Sequence, residues 1–122
     1  MASTIAINPA VTVTFTGFTA LTDGATISWD TGSVPLANAK VTLGGNRTLN
    51  ISNLTDGGAY QVKLTQDGTG SRGLTLGSGC TWKIANGGSG AVMLSAAANS
   101  VDILAFTYDG TTCYANLIKN FN

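Results

Sequence analysis

The chain has 122 residues, enough for one domain with a hydrophobic core. Hydrophobic residues make up 43% of it and charged residues only 10%, against roughly 25% in an ordinary soluble protein. Six basic and six acidic residues cancel and are spread along the chain. This argues against nucleic acid as a partner, because phosphate contacts need clustered Lys and Arg. A neutral surface offers little repulsion between copies and favours self-association.

Targeting signals and cysteine usage bear on the compartment. No segment reaches the roughly 18 consecutive apolar residues of a membrane span, so no membrane partner is expected. The start, MASTIAINP, has no basic stretch followed by a long apolar one, so we expect no secretory signal and assembly in a cytosol. For Cys80 and Cys113 we expect two buried thiols in a reducing compartment, with a disulfide between them as the alternative.

Alternating apolar and polar residues, broken by a turn signal about every ten residues, predict short β-strands throughout the chain. In residues 59–66, the clearest case, Tyr60, Val62 and Leu64 face the core, and Gln61 and Lys63 face outward. No internal repeat or amphipathic helix is evident. The pattern predicts an all-β fold, an antiparallel β-sandwich of the jelly-roll kind. In chain order the predicted strands occupy residues 5–16, 25–30, 39–43, 47–54, 59–66, 72–76, 80–84, 91–94 and the two halves of 101–118.

The last pair is a predicted β-hairpin that turns at Asp109-Gly110, a dipeptide suited to tight turns between strands. Its first strand, residues 101–108, is apolar on both sides. We therefore expect it to be covered twice, by its own sandwich on one side and by sister subunits on the other.

A carboxylate enters this strand at Asp102, between two apolar residues, where an unpaired charge is costly. One hypothesis is that Asp102 pairs with Arg72 as a structural clamp. The alternative is that Asp102 lies at the solvated start of the strand.

Catalytic chemistry has little to draw on, because the chain contains no histidine and no glutamate. Their absence excludes Ser-His-Asp and Cys-His arrangements and leaves a paired-carboxylate hydrolase only aspartates. Most of these precede glycine and are interpreted as turn residues. Asp30-Thr31-Gly32 resembles the motif of dimeric aspartic proteases, but a simple turn is favoured, since the flanking residues do not fit. We predict no enzyme, and no catalytic, metal or cofactor residue.

Aromatic residues offer a binding alternative. Trp29, Trp82, Tyr108 and Tyr114 would form a stacking platform for a sugar ring if they shared a surface. Core packing is the favoured interpretation, because most of them fall on inward positions of the alternation.

Four segments carry a resemblance to a known family: LTDGATISWD (21–30), VTLGGNRTLNISNLTDGGAYQVKLTQDGTGSR (41–72), Trp82-Lys83 and ANSVDILAFTYDGTTCYA (98–115). With them, about four-fifths of the chain resembles a β-domain of tailed-bacteriophage virion proteins found in tail fibres, head fibres and related surface appendages. The resemblance implies a β-sandwich that forms a homotrimer on the virion exterior. It departs from the family near residue 83, where Trp-Pro followed by Gly-Gly is common and this chain has Trp82-Lys83.

Within this resemblance the expected function is that of a non-enzymatic virion structural protein, either a capsid decoration or a head-fibre protein, assembled in the host cytoplasm. Because the domain begins soon after Met1, residues 1–20 are interpreted as a strand or arm that docks on the capsid or joins the trimer, and residues 21–122 as the sandwich. The alternative is a tail fibre or receptor-binding appendage whose loops at residues 86–90 and 68–71 contact a bacterial surface glycan.

Overall fold

The computed structural model describes residues 3–7, 11–15, 17–85 and 91–121. These residues form twelve β-strands and no helix, which confirms the all-β class. In the part of the chain so described, no helix is long and apolar enough to cross a membrane. The strands are β1 Ser3–Ile7, β2 Val11–Phe15, β3 Thr19–Ala20, β4 Thr26–Asp30, β5 Leu36–Leu43, β6 Arg47–Ser52, β7 Ala59–Gln66, β8 Leu74–Leu76, β9 Thr81–Ile84, β10 Ala91–Val92, β11 Val101–Tyr108 and β12 Thr112–Phe121.

Two sheets pack face to face around one core. The larger has six strands in the order β3-β5-β7-β11-β12-β9, and the smaller has four in the order β10-β8-β6-β4. Both sheets contribute fully buried side chains to the same cluster, Ile27 and Leu49 from the smaller, Leu43 and Leu104 from the larger. The predicted β-sandwich is therefore present.

The pairing of the strands differs from the predicted jelly roll. From β3 to β8 the chain alternates between the two sheets, and strands that neighbour each other within a sheet run parallel. The chain thus winds around the core, passing from one sheet to the other with each strand, and this winding places Thr26 beside Thr48 and Thr48 beside Thr75. The sandwich is mixed and not antiparallel throughout. Alternation reports which side of a strand is buried, but not which strand lies next to it.

The C-terminal hairpin is confirmed. Strands β11 and β12 pair antiparallel, and β11 also pairs antiparallel with β7. At the turn, Asp109 Oδ1 accepts hydrogen bonds from the backbone N–H groups of Thr111 and Thr112, and Gly110 adopts a φ of 94°. Only glycine takes such a φ without strain, so the Asp-Gly pair fits this turn.

Aromatic rings link the two layers around Phe106. The ring of Trp29, from the smaller sheet, meets Phe106 edge to face at 5.9 Å between centroids, and Tyr60 stacks on Phe106 at 5.4 Å. The buried Tyr60 hydroxyl donates to Val34 O and accepts from Thr55 N–H, both at 2.8 Å. The core thus gains ring contacts without leaving this hydroxyl unpaired.

Cys80 and Cys113 form a disulfide, with their Cα atoms 5.9 Å apart, so the expectation of two free thiols is wrong. Strand β9 pairs in parallel with β12, and Trp82 lies opposite Cys113. Because Cys80 comes two residues before Trp82, this pairing brings the two cysteines close together. The expectation was based on the apolar neighbours of each cysteine and on a reducing compartment, and neither reveals that the two residues lie side by side. The bond ties the start of an edge strand to the hairpin.

The N-terminal residues form a hairpin of their own. Strands β1 and β2 pair antiparallel, from Ser3 opposite Phe15 to Ile7 opposite Val11, in a separate two-stranded sheet. Within the segment 1–20 interpreted as an arm, β3 already belongs to the six-stranded sheet. The role of this segment in docking or trimerisation stays a prediction.

Candidate binding face

The outward side of the six-stranded sheet, here called the open face, is the main candidate surface. Along β11 the inward residues Asp102, Leu104 and Phe106 are buried, whereas Ile103 and Ala105 on the other side are half-buried. The strand expected to be covered twice is therefore covered once within the single chain. Cover of the second side by sister subunits stays a prediction.

Parallel and antiparallel registers arrange the open face in rows that cross β5, β7, β11 and β12. Each row has its own chemistry: the first mixes apolar and hydroxyl groups, the second is rich in amides, and the third has two lysines followed by two isoleucines. The rows are Leu36, Ala59, Thr107 and Tyr114; Asn38, Gln61, Ala105 and Asn116; and Lys40, Lys63, Ile103 and Ile118.

An open groove of about 390 Å³, here called the amide groove, runs along the first two rows. The side-chain amides of Asn38 and Gln61 line it, and neither makes a hydrogen bond to another described residue. Tyr114 lies at its far side and is 49% exposed, with its hydroxyl donating to Asp109 Oδ2 at 3.2 Å. The groove thus offers unpaired donors and acceptors beside an accessible ring.

The four aromatic residues considered for a sugar platform do not share a surface. Trp29 is 2% exposed and lies in the core, as core packing predicts. Trp82 is half-buried against Phe106, and its indole N–H donates to Gly77 O at 3.1 Å. Tyr108 is also half-buried. Tyr114 alone among the four is exposed.

Apolar side chains gather at the opposite end of β11 and β12, in what we call the apolar corner: Val101, Ile103, Ile118 and Phe121. Ile103 pairs with Ile118, and Val101 with Phe121. Ile118 is 43% and Phe121 46% exposed, so the corner presents apolar surface to solvent in the single chain.

The proposed clamp between Asp102 and Arg72 is absent from the structure. Arg72 pairs with Asp67 at 2.9 Å. Asp102 is buried, as the clamp hypothesis required, but its carboxylate accepts hydrogen bonds from the backbone N–H groups of Ser95 at 2.6 Å and Asn120 at 2.8 Å. It therefore joins the segment before β11 to the end of β12. Backbone donors replace the expected cation.

The loop at residues 68–71, a candidate glycan contact, is held by a network of its own. Asp67 Oδ1 accepts from the N–H groups of Thr69 and Gly70, and Ser71 N–H donates to Ala96 O. Hydrogen bonds from Arg72 and then from Gly70 lower the pKa of Asp67 from 3.8 to about 2. The other candidate loop, residues 86–90, lies outside the described residues.

The Asp30-Thr31-Gly32 segment forms a turn that fastens β4 to β6. Asp30 Oδ1 accepts from the Asn53 amide at 2.7 Å and from Gly32 N–H at 2.8 Å, and these bonds lower the pKa of Asp30. The Thr31 hydroxyl donates to Asn53 O at 2.6 Å. This geometry matches the turn interpretation. Over the described ranges, no three His, Cys, Asp or Glu side chains are grouped so that they could hold a metal ion.

Sequence reasoning placed Gln61 and Lys63 on an outward side but missed what lies beside them. Residues 36–42 and 59–65 carry the same pattern of an amide, a lysine and a threonine at every second position, 23 residues apart. This pairs Asn38 with Gln61 and Lys40 with Lys63. The shared spacing of these three positions is a signal in the sequence that could have indicated the parallel pairing of β5 and β7.

Comparison with known proteins identifies the family of this chain. Residues 29–113, about seven-tenths of the chain, match the family model described as "Putative phage tail fibre C-terminal domain". No curated protein has significant similarity to the chain. No solved structure does either. The match runs from the end of β4 to the start of β12 and supports the tail-fibre alternative over the capsid-decoration and head-fibre interpretation. The chain belongs to this phage tail fibre C-terminal domain family and is a structural component of the tailed-phage virion.

Proposed function

We propose that this chain is a non-enzymatic tail-fibre domain that contacts a bacterial surface glycan through its open face. The observation that carries the proposal is the amide groove, in which the unpaired amides of Asn38 and Gln61 lie beside the exposed ring of Tyr114. Membership of the tail-fibre family supports the assignment of the chain to a tail fibre.

The chemistry of the groove suits a sugar ring. Sugar hydroxyl groups both donate and accept hydrogen bonds, and a side-chain amide offers both functions. An aromatic ring provides an apolar surface for the C–H side of a pyranose. The volume of about 390 Å³ is at the small end of ordinary ligand pockets, enough for one or two sugar units.

The position of these groups also favours binding. Asn38, Gln61 and Thr107 lie on paired strands in the interior of the sheet, and the Thr107 hydroxyl is fixed by donating to Gly58 O at 2.8 Å. Groups held by strands lose little freedom when a ligand binds. Among the described residues that line the groove there is no pair of carboxylates, which favours a binding role over glycoside hydrolysis.

Binding of the purified chain to host cells and to a panel of bacterial surface polysaccharides tests the proposal. Tyr114→Ala should weaken glycan binding about two- to tenfold, the range for loss of one aromatic contact. Met93→Ala, which removes a side chain 79% exposed and outside the groove, is the matched control and should bind normally.

The opposite result is equally specific. If the chain binds no glycan or cell but attaches to purified phage heads, the glycan proposal is wrong and capsid decoration returns. Equal binding by the Tyr114→Ala variant and the control would remove the amide groove from the proposal.

A second proposal concerns self-association as a homotrimer through the apolar corner. Two observations support the trimer. Ile118 and Phe121 present apolar surface that is more stable when covered by another protein surface. The chain has zero net charge, so electrostatic repulsion between copies is weak. Tyr114 of the amide groove lies near the turn at the start of β12, whereas Phe121 of the apolar corner lies at the other end of that strand. A trimer centred on Phe121 would therefore leave the ring of Tyr114 accessible. Mass measurement in solution tests the trimer.

A further inference from the structure

Beside the amide groove the open face carries two adjacent lysines. Lys40 on β5 and Lys63 on β7 are direct register partners on neighbouring parallel strands. The next outward-facing pair along the two strands is Thr42 and Thr65, both with hydroxyl groups. These four side chains line a second depression of about 490 Å³, here called the lysine corner.

Neither lysine has an acidic partner. The ion pairs among the described residues join Arg47 to Asp23 and Arg72 to Asp67. Lys63 instead lies over the ring of Phe18, 5.9 Å from the ammonium to the centroid. No strand position on the described part of the open face holds a carboxylate.

Like charges on directly opposed positions of a sheet repel each other. Here no acidic side chain of the described residues offsets the repulsion, although two aspartates pair with arginines elsewhere. An anion placed between the two ammonium groups would remove the repulsion, and the two threonine hydroxyls would donate to its oxygens.

We propose that the lysine corner binds the anionic group of an acidic bacterial polysaccharide, a uronate carboxylate or a phosphate substituent, while a neighbouring sugar lies in the amide groove. The inference rests on the proposed glycan function and narrows it to acidic glycans. Asn38 and Lys40, like Gln61 and Lys63, are two residues apart on one strand, which sets the two sites about 7 Å apart, close to the length of one sugar unit.

Matched polysaccharides separate the two claims. The probes are acidic capsular polysaccharides, the same polymers with their carboxyl groups reduced to alcohols, and phosphate-bearing polymers before and after dephosphorylation. The native acidic form should bind more tightly than its neutralised form, and the preference should shrink as salt is raised. The arm that shows the difference identifies carboxylate or phosphate.

Variants assign the preference to the lysines. Lys40→Gln and Lys63→Gln should each weaken binding of the acidic polymer about two- to fivefold, and the double variant about tenfold, as for exposed ion pairs. Binding of the neutral form should not change. Lys119→Gln, which removes the same charge from an exposed site on β12 outside the corner, is the control and should bind like the parent chain.

Each other outcome counts against a defined claim. Equal binding of acidic and neutral forms overturns the inference and leaves the glycan function intact. Equal binding of a single-stranded DNA oligonucleotide shows a general affinity for polyanions and overturns the glycan assignment. If no polymer binds, the glycan function and the acidic-glycan assignment fail together. A titration with sodium phosphate followed by amide NMR then decides the anion site alone: saturable shifts at Lys40 and Lys63 support it, and their absence overturns it.

Discussion

Reduction of the disulfide should cost the domain a large part of its stability. Cys80 and Cys113 are 33 residues apart in sequence, and Cys113 is fully buried. On the chain-entropy treatment, closing a loop of this length stabilises the folded state by about 4 kcal/mol. Small domains unfold with only about 5–15 kcal/mol, so the bond would supply a major share.

The assay is chemical denaturation of the same protein with and without a phosphine reductant. Reduction adds two hydrogen atoms and leaves the core side chains in place, so the change in free energy of unfolding reports the bond itself. A double variant, Cys80→Ala with Cys113→Ala, should unfold alike under both conditions. A loss below about 1 kcal/mol on reduction would refute the entropy argument, and free thiols in the oxidised protein would refute the bond.

The loss should also be local. Strand β9 is at the edge of the six-stranded sheet, and among the described strands its partner is β12. Without Cys80 fixed at its start, β9 depends on four residue pairs, whereas β5 keeps eight with β7. Hydrogen exchange should therefore show β9 losing protection on reduction while β5 and β7 keep theirs.

Three further predictions follow from single residues. Stability should fall as the pH drops from about 4 to about 2, because the pKa of Asp67 is about 2 in the folded chain and 3.8 in the unfolded chain. The ionised Asp67 stabilises the fold fully above pH 3.8, and this stabilisation is lost as the carboxylate becomes protonated near pH 2. Denaturation midpoints measured against pH should show a smaller loss in Asp67→Asn. Asp102→Asn should lower the free energy of unfolding by about 1–3 kcal/mol, since a buried N–H loses its acceptor, and an unchanged value in urea denaturation would contradict it. Ile118→Asp should convert the proposed trimer to monomer in mass measurements without loss of fold, because Ile118 is exposed, and a trimer that persists would exclude the apolar corner as its interface.

Local chemistry was predictable from the sequence. The alternation in residues 59–66 correctly set Tyr60, Val62 and Leu64 inward, and Asp109-Gly110 correctly marked the hairpin turn. Both signals act within a few residues, where side-chain direction and backbone φ are fixed by the residues themselves.

Partners distant in sequence were not predictable in the same way. The sequence left open whether Asp102 is buried or lies at the solvated start of the strand. Its acceptor role depends on the N–H groups of Ser95 and Asn120, and every residue except proline has such a group. By charge alone, Arg72 was the expected partner of Asp102. In the structure Arg72 pairs with Asp67, because the turn that follows β7 brings these two side chains together.

The winding of the chain between the two sheets explains why like residues lie side by side on the open face. The chain leaves the six-stranded sheet after β5, passes through β6 in the other sheet and returns as β7, so residues one such circuit apart become neighbours. Here the circuit from β5 to β7 is 23 residues, and it places amide beside amide, lysine beside lysine and threonine beside threonine. A hairpin of the predicted antiparallel kind would have reversed one strand and dispersed these pairs. Both the amide groove and the lysine corner therefore depend on the register between β5 and β7. A shift of β7 by one position would turn Gln61 and Lys63 toward the core and remove both sites.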